Sequence, residues 1–96
     1  MIQTFGDKAT EDVFNGINSK DSRKMPNNIL KVARRKLDQI NAAFQIESLR
    51  APPGNRLEKK SGDLKDFSAI WINKQYRIIF KWHEDSAYEV KIDDCH

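Results

Sequence analysis

Ninety-six residues with 17 Lys and Arg against 14 Asp and Glu carry a net charge of +3, and 39% of the chain is hydrophobic. A chain of this length buries one modest core and leaves little room for a second domain or a deep cofactor cavity, so a single domain over residues 1–96 is expected. The apolar runs fall far short of the ~18–20 residues that cross a bilayer, and residues 1–7 lack a signal-peptide core. Cys95 stands alone, which excludes an internal disulfide and a cysteine-built zinc site. A cytoplasmic protein without membrane association is the expectation.

In chain order, residues 2–5 form a short apolar strand, and Asp7 is placed to cap a helix running to about Asn15, with Val13 and Phe14 inward and Gly16 as its stop. Residues 17–25 are polar and nearly without apolar anchors, which predicts a mobile connection. Pro26 suits the first turn of a second helix. Leu30, Ala33, Leu37, Ile40 and Phe44 then recur at spacings of three and four, one stripe of an amphipathic helix with Lys31, Arg34, Arg35 and Asp38 outward. Ile46, Leu49 and the Pro52-Pro53-Gly54 breaker close the helical half.

The period then changes to two. A weak strand over residues 55–60 precedes a hairpin in which Phe67, Ala69 and Trp71 alternate, then Tyr76, Ile78, Phe80 and Trp82, around an Asn73-Lys74-Gln75 turn. Tyr88, Val90 and Ile92 alternate in a last strand after Glu84-Asp85-Ser86. The order β-α-α-β-β-β-β predicts an α+β fold, two N-terminal helices packed on one face of a twisted, mainly antiparallel sheet of four to five strands.

Charge is unevenly spread. Residues 20–65 hold twelve bases against five acids, a net +7, whereas residues 83–96 carry −4. A basic middle favours a polyanionic partner, nucleic acid or an acidic protein surface, although part of it also reads as a solvated helix face. Arg77 and Lys81 alternate away from the aromatic side of their strand, and Arg77 reads either as a snorkelling surface arginine or as a guanidinium placed for a phosphate. Asp94 and His96 continue the Val90 and Ile92 side, so an acid and an imidazole could share a pocket. Cys95 lacks a base beside it to act as a nucleophile, and His83, His96 and the nearby aspartates match no compact metal motif.

Ala51-Pro52-Pro53-Gly54-Asn55-Arg56-Leu57-Glu58, Ser61-Gly62-Asp63-Leu64, Ile72-Asn73-Lys74-Gln75-Tyr76-Arg77-Ile78-Ile79-Phe80 and the ending Asp94-Cys95-His96 together resemble the HigB-type toxins of the RelE/ParE superfamily. The similarity runs over essentially the whole chain. It implies a toxin of a type II toxin–antitoxin pair that cleaves mRNA in the ribosomal A site without a cofactor or metal, by attack of a ribose 2′-OH on the adjacent phosphate. By position, Arg77 would stabilise the phosphate, His96 would carry a proton, and Asp94 would orient it or touch RNA. Cys95 stands where the family usually has tyrosine, and Glu58 where better-known nuclease members have histidine. A Glu58 base needs nearby cations, and Arg56, Lys59 and Lys60 are close in sequence; slow or context-dependent cleavage is expected. Lys65 and Lys81, with Cys95, complete the residues expected to touch RNA.

The resemblance also implies a small helix-turn-helix antitoxin, and operator DNA bound only through the toxin–antitoxin complex. Two other readings stand beside the nuclease: a ParE-like inhibitor of DNA gyrase that cleaves nothing, and an RNA-binding module without chemistry. Against the last, the exposed Phe/Tyr pairs of an RRM-type sheet are not evident in the sequence.

Overall fold

A computed structural model describes residues 1–94, and places Cys95 and His96 outside the described residues. Two helices, α1 (Lys8–Asn15) and α2 (Asn27–Ala42), pack on a four-stranded antiparallel sheet ordered β1 (Glu58–Lys59), β2 (Phe67–Trp71), β3 (Tyr76–His83) and β4 (Ser86–Asp94). The N-terminal segment adds two parallel bridges on the β4 edge, Ile2 with Ala87 and Phe5 with Val90. This is the expected α+β fold.

The helices form where the sequence placed their signals. The Asp7 carboxylate accepts from the Thr10 amide at 2.8 Å, and Gly16, at φ 71°, ends α1 in the left-handed conformation that glycine tolerates. Val13 of α1 and Ile29, Ala33, Leu37 and Ile40 of α2 meet Ile70, Ile78, Phe80, Val90 and Ile92 of the sheet in one buried core. Thr10, fully buried, fastens α1 to β4 by accepting from the Ile92 amide at 2.9 Å.

Five expectations change. Phe44 leaves the core stripe and is 78% exposed, because α2 stops at Ala42 and extended Ala43 takes the buried place. Residues 17–25 are not a loose connection: they hold a 3-10 turn, Ser22–Lys24, pinned by polar anchors. Ser19 Oγ donates to buried Asp12 at 2.6 Å, Ser19 and Ser22 bond each other's amides, and Ser22 Oγ donates to the Ile17 carbonyl at 2.9 Å. The weak strand shrinks to two residues, since buried Asn55 ends a 3-10 turn and Arg56 takes φ 47°.

The remaining two concern which way strands face. Ile70 pairs with Ile78 and Ser68 with Phe80, so it is Ile70 that enters the helix-side core, while Phe67, Ala69 and Trp71 stand on the opposite face with Lys81, Ile79 and Arg77. In β4 a bulge sets Glu89 and Val90 against Phe80, with Glu89 at φ 52°. Beyond it Ala87, not Tyr88, joins the core, and Tyr88 pairs with Lys81 on the face away from the helices. The sheet therefore does gather aromatic rings, Phe67, Trp71 and Tyr88, on the side that no helix covers, contrary to the sequence reading.

Candidate active site on the open face of the sheet

Trp71 anchors one end of this face. Its partner on β3 is Arg77, and the β1 pairing of Glu58 with Ala69, continued by two residues, brings Arg56 to its other side. The guanidinium carbons of Arg77 and Arg56 lie 3.6 Å and 4.3 Å from the centre of the indole ring. Such cation–ring contacts are worth ~0.5–2 kcal/mol each, more as they are desolvated.

Arg77 is not a snorkelling surface residue. It is 7% exposed, and its Nη1 donates to the backbone carbonyls of Asn73 and Tyr76. Asn73 in turn closes the hairpin, its side chain accepting from the Gln75 and Tyr76 amides at 2.8 and 2.7 Å. Turn and guanidinium thus hold each other in place. Two buried donors of this cluster, Trp71 Nε1 and Arg77 Nε, have no acceptor among the described residues. A buried donor left unpaired costs ~1–3 kcal/mol, and with the two guanidiniums these donors make the cluster locally electropositive.

A polar network that the sequence analysis missed supports this cluster from behind. Lys36, on α2 and 7% exposed, donates Nζ to Asn55 Oδ1 at 2.8 Å and to the Trp71 carbonyl at 2.6 Å. Asn55, fully buried, spends Nδ2 on the Leu49 and Ala51 carbonyls and on Gln39 Oε1. Neither acceptor of Lys36 is a carboxylate, and burial, aided by the Arg35 charge, holds the Lys36 ammonium below its ordinary value of 10.5. The signal was available only in part: Lys36 falls at an inward helical position, but nothing local says that a lysine is wanted there.

The other expected site residues distribute as follows. Glu58 is exposed on β1 opposite Ala69, which puts it on the open face beside Trp71. Lys81 lies at the far end of that face, 5.3 Å from the Phe67 ring, with Nζ 2.8 Å from Glu89 Oε2, and this carboxylate raises the Lys81 pKa. Lys59 and Lys60 belong to the β1 edge, where the Lys60 amide donates to the Phe67 carbonyl at 2.9 Å, and Lys65 is exposed in the β1–β2 loop. Asp94 pairs with Tyr76, on the helix side of the sheet, and accepts from Gln75 Nε2 at 3.2 and 3.3 Å; it is Asp93 that stands opposite Arg77. The expected roles of Cys95 and His96 fall outside the described residues.

Two hollows of the surface bear on the site. One of about 660 Å³ lies in the helical layer, lined by Arg23, Lys31, Arg34 and Arg35 together with Asp12 and Asp38, and contains none of the residues expected to do chemistry. The second, of about 640 Å³, opens at the Lys81 end of the sheet. Among the described residues no helix is long and apolar enough to cross a membrane.

Fold and site together define a small α+β domain with two guanidiniums stacked on the aromatic sheet face that no helix covers. Comparison with known proteins narrows this. Residues 3–96 match the family described as RelE-like toxin of type II toxin–antitoxin system HigB. The chain is 39% identical over 93 residues to "Toxin HigB-1" of Vibrio cholerae serotype O1, covering 97% of this chain and 96% of that protein. It is also 40% identical over 70 residues to an uncharacterized protein of Haemophilus influenzae, covering 73% and 69% of the two chains. The chain belongs to the HigB-like family of RelE-like toxins, and membership of a type II system makes a cognate antitoxin its partner.

Proposed function

We propose that this toxin is an endoribonuclease that cuts mRNA on the translating ribosome, by proton transfer and electrostatic stabilisation and without a metal. The observation that supports this most is the Arg56–Trp71–Arg77 stack on a sheet face that no helix covers, the face on which β1 also places Glu58, opposite Ala69. Cleavage of RNA by its own 2′-OH forms a bond from the 2′-oxygen to phosphorus and breaks the bond to the 5′-oxygen, leaving a 2′,3′-cyclic phosphate and a 5′-OH. The 2′-OH proton passes to a base, the 5′-oxygen takes a proton from an acid, and the pentacoordinate phosphate gathers charge that fixed cations stabilise.

In this reading Arg77, with Arg56, meets the phosphate; Glu58 accepts the 2′-OH proton; His96 protonates the leaving oxygen; and Asp94, which lies on the helix side of the sheet, orients His96 or contacts RNA from around the end of β4. Lys59, Lys60, Lys65 and Lys81 attract the RNA backbone along the β1 edge and the far end of the face. The toxin acts in the cytoplasm, its antitoxin is a helix-turn-helix protein, and operator DNA is bound through the complex. The test is cleavage of a translated message in vitro by Glu58→Ala and His96→Ala variants. Each is expected to lose at least ~100-fold in rate. Fully active variants would refute the acid–base roles, and growth arrest with intact messages would favour gyrase as target.

A further inference from the structure

We infer that the far end of the open face is a second RNA subsite, in which Phe67 and Tyr88 stack one unpaired base while Lys81 and Lys59 meet its phosphate. The inference rests on the nuclease reading and extends it to the RNA outside the cut bond. Phe67, Lys81 and Tyr88 form a single row across β2, β3 and β4, as Trp71, Arg77 and Asp93 do at the other end. The hollow of about 640 Å³ opens beside Lys81 and Tyr88 of this row and is lined also by Lys59, Asp66, Trp82 and His83.

Tyr88 stands there because of the β4 bulge, built on a non-glycine residue, Glu89, in the left-handed region at φ 52°. Without that extra residue Tyr88 would continue the Val90 and Ile92 side and enter the helix-side core. The strained bulge therefore has a specific product, an aromatic ring on the open face. Trp71 and Phe67 are four residues apart on β2, roughly 13 Å at the rise of a strand. One base cannot touch both rings, whereas neighbouring nucleotides of an extended strand can. An acidic peptide would satisfy Lys59 and Lys81 but leave the rings unused; single-stranded RNA uses ring faces and cations together. Glu89, 2.8 Å from Lys81, occupies the ammonium in the free protein and is what a phosphate would displace.

Ribosomes programmed with a message bearing 2′-deoxyribose in the A-site codon cannot be cut, and 2-aminopurine can be placed in it one position at a time. Wild-type toxin is expected to quench the probe at two separated positions. The double variant Phe67→Leu/Tyr88→Leu should keep one of them, lose the other, and bind the programmed ribosome at least ~10-fold more weakly. Its melting temperature reports folding; should it not fold, Tyr88→Leu alone is read in the same way. Unchanged quenching and ribosome affinity would overturn the subsite and leave the nuclease reading intact. Loss of antitoxin affinity with quenching intact would assign the face to the antitoxin and overturn the subsite too. Wild-type toxin that ignores programmed ribosomes would overturn both.

Discussion

Lys36 shows how a single residue that sequence patterning passes over can support the site from behind. It is charged, it falls in the basic stretch, and yet it is buried, with its ammonium spent on Asn55 and on the carbonyl of the residue that carries both guanidiniums. Lys36→Met fills a similar volume but strands two buried acceptors, at ~1–3 kcal/mol. For a domain of this size each kcal/mol is worth ~4–8 °C, so melting should fall by roughly 5–20 °C. The pH dependence has a definite sign. The folded Lys36 pKa lies below 10.5, so the cost of burying the charge is present in full at neutral pH and is relieved as pH rises from that lowered value toward 10.5. Wild-type stability should therefore gain over that alkaline window relative to Lys36→Met, in paired melts; parallel profiles would contradict this.

At the scale of elements, what could be read from the sequence and what could not divide along a physical line. Helix caps and the α2 stripe were legible because Asp7, Gly16 and the three–four spacing act within one or two turns. The facing of β2 was not, because Phe67, Ala69 and Trp71 alternate convincingly and so does Ile70 with Ile72; both faces are apolar, and only pairing with β3 chooses between them. The same holds for Tyr88, whose side depends on one bulged residue. Arg77 was found as a candidate from its strand position, whereas its stack on Trp71 required the facing that the sequence left open. Residues 17–25 looked loose because their anchors are serines and an aspartate rather than apolar side chains. Asp12 is the keystone there: hydrogen bonds from Lys8 and then Ser19 hold its carboxyl below the ordinary value of 3.8. That contribution is present above the unfolded value and is lost as pH falls through the folded one. Wild-type melting should drop more steeply than that of Asp12→Asn below about pH 4, and equal acid slopes would contradict the assignment.

For the whole molecule, a net charge of only +3 conceals a division of labour. The sheet face carries stacked cations and aromatic rings, the helical layer carries Arg23, Lys31, Arg34 and Arg35 around a separate hollow, and the last strand is acidic. Such a division concentrates positive potential on parts of the surface without making the whole surface basic. It follows that the toxin alone should bind operator DNA weakly and that its complex with the antitoxin should bind tightly, the antitoxin making the base contacts. Equal operator affinity of toxin and complex in a gel-shift titration would contradict that division. The central claim, that the Arg56–Trp71–Arg77 face cuts translated RNA, is tested most directly by translating a defined message in vitro with wild-type toxin and with Arg77→Ala, and mapping new 5′ ends by primer extension. The expected result is cleavage on translated message alone, reduced ~100–1,000-fold by the substitution. Undiminished cleavage by a folded Arg77→Ala toxin, or none by the wild type, would contradict it.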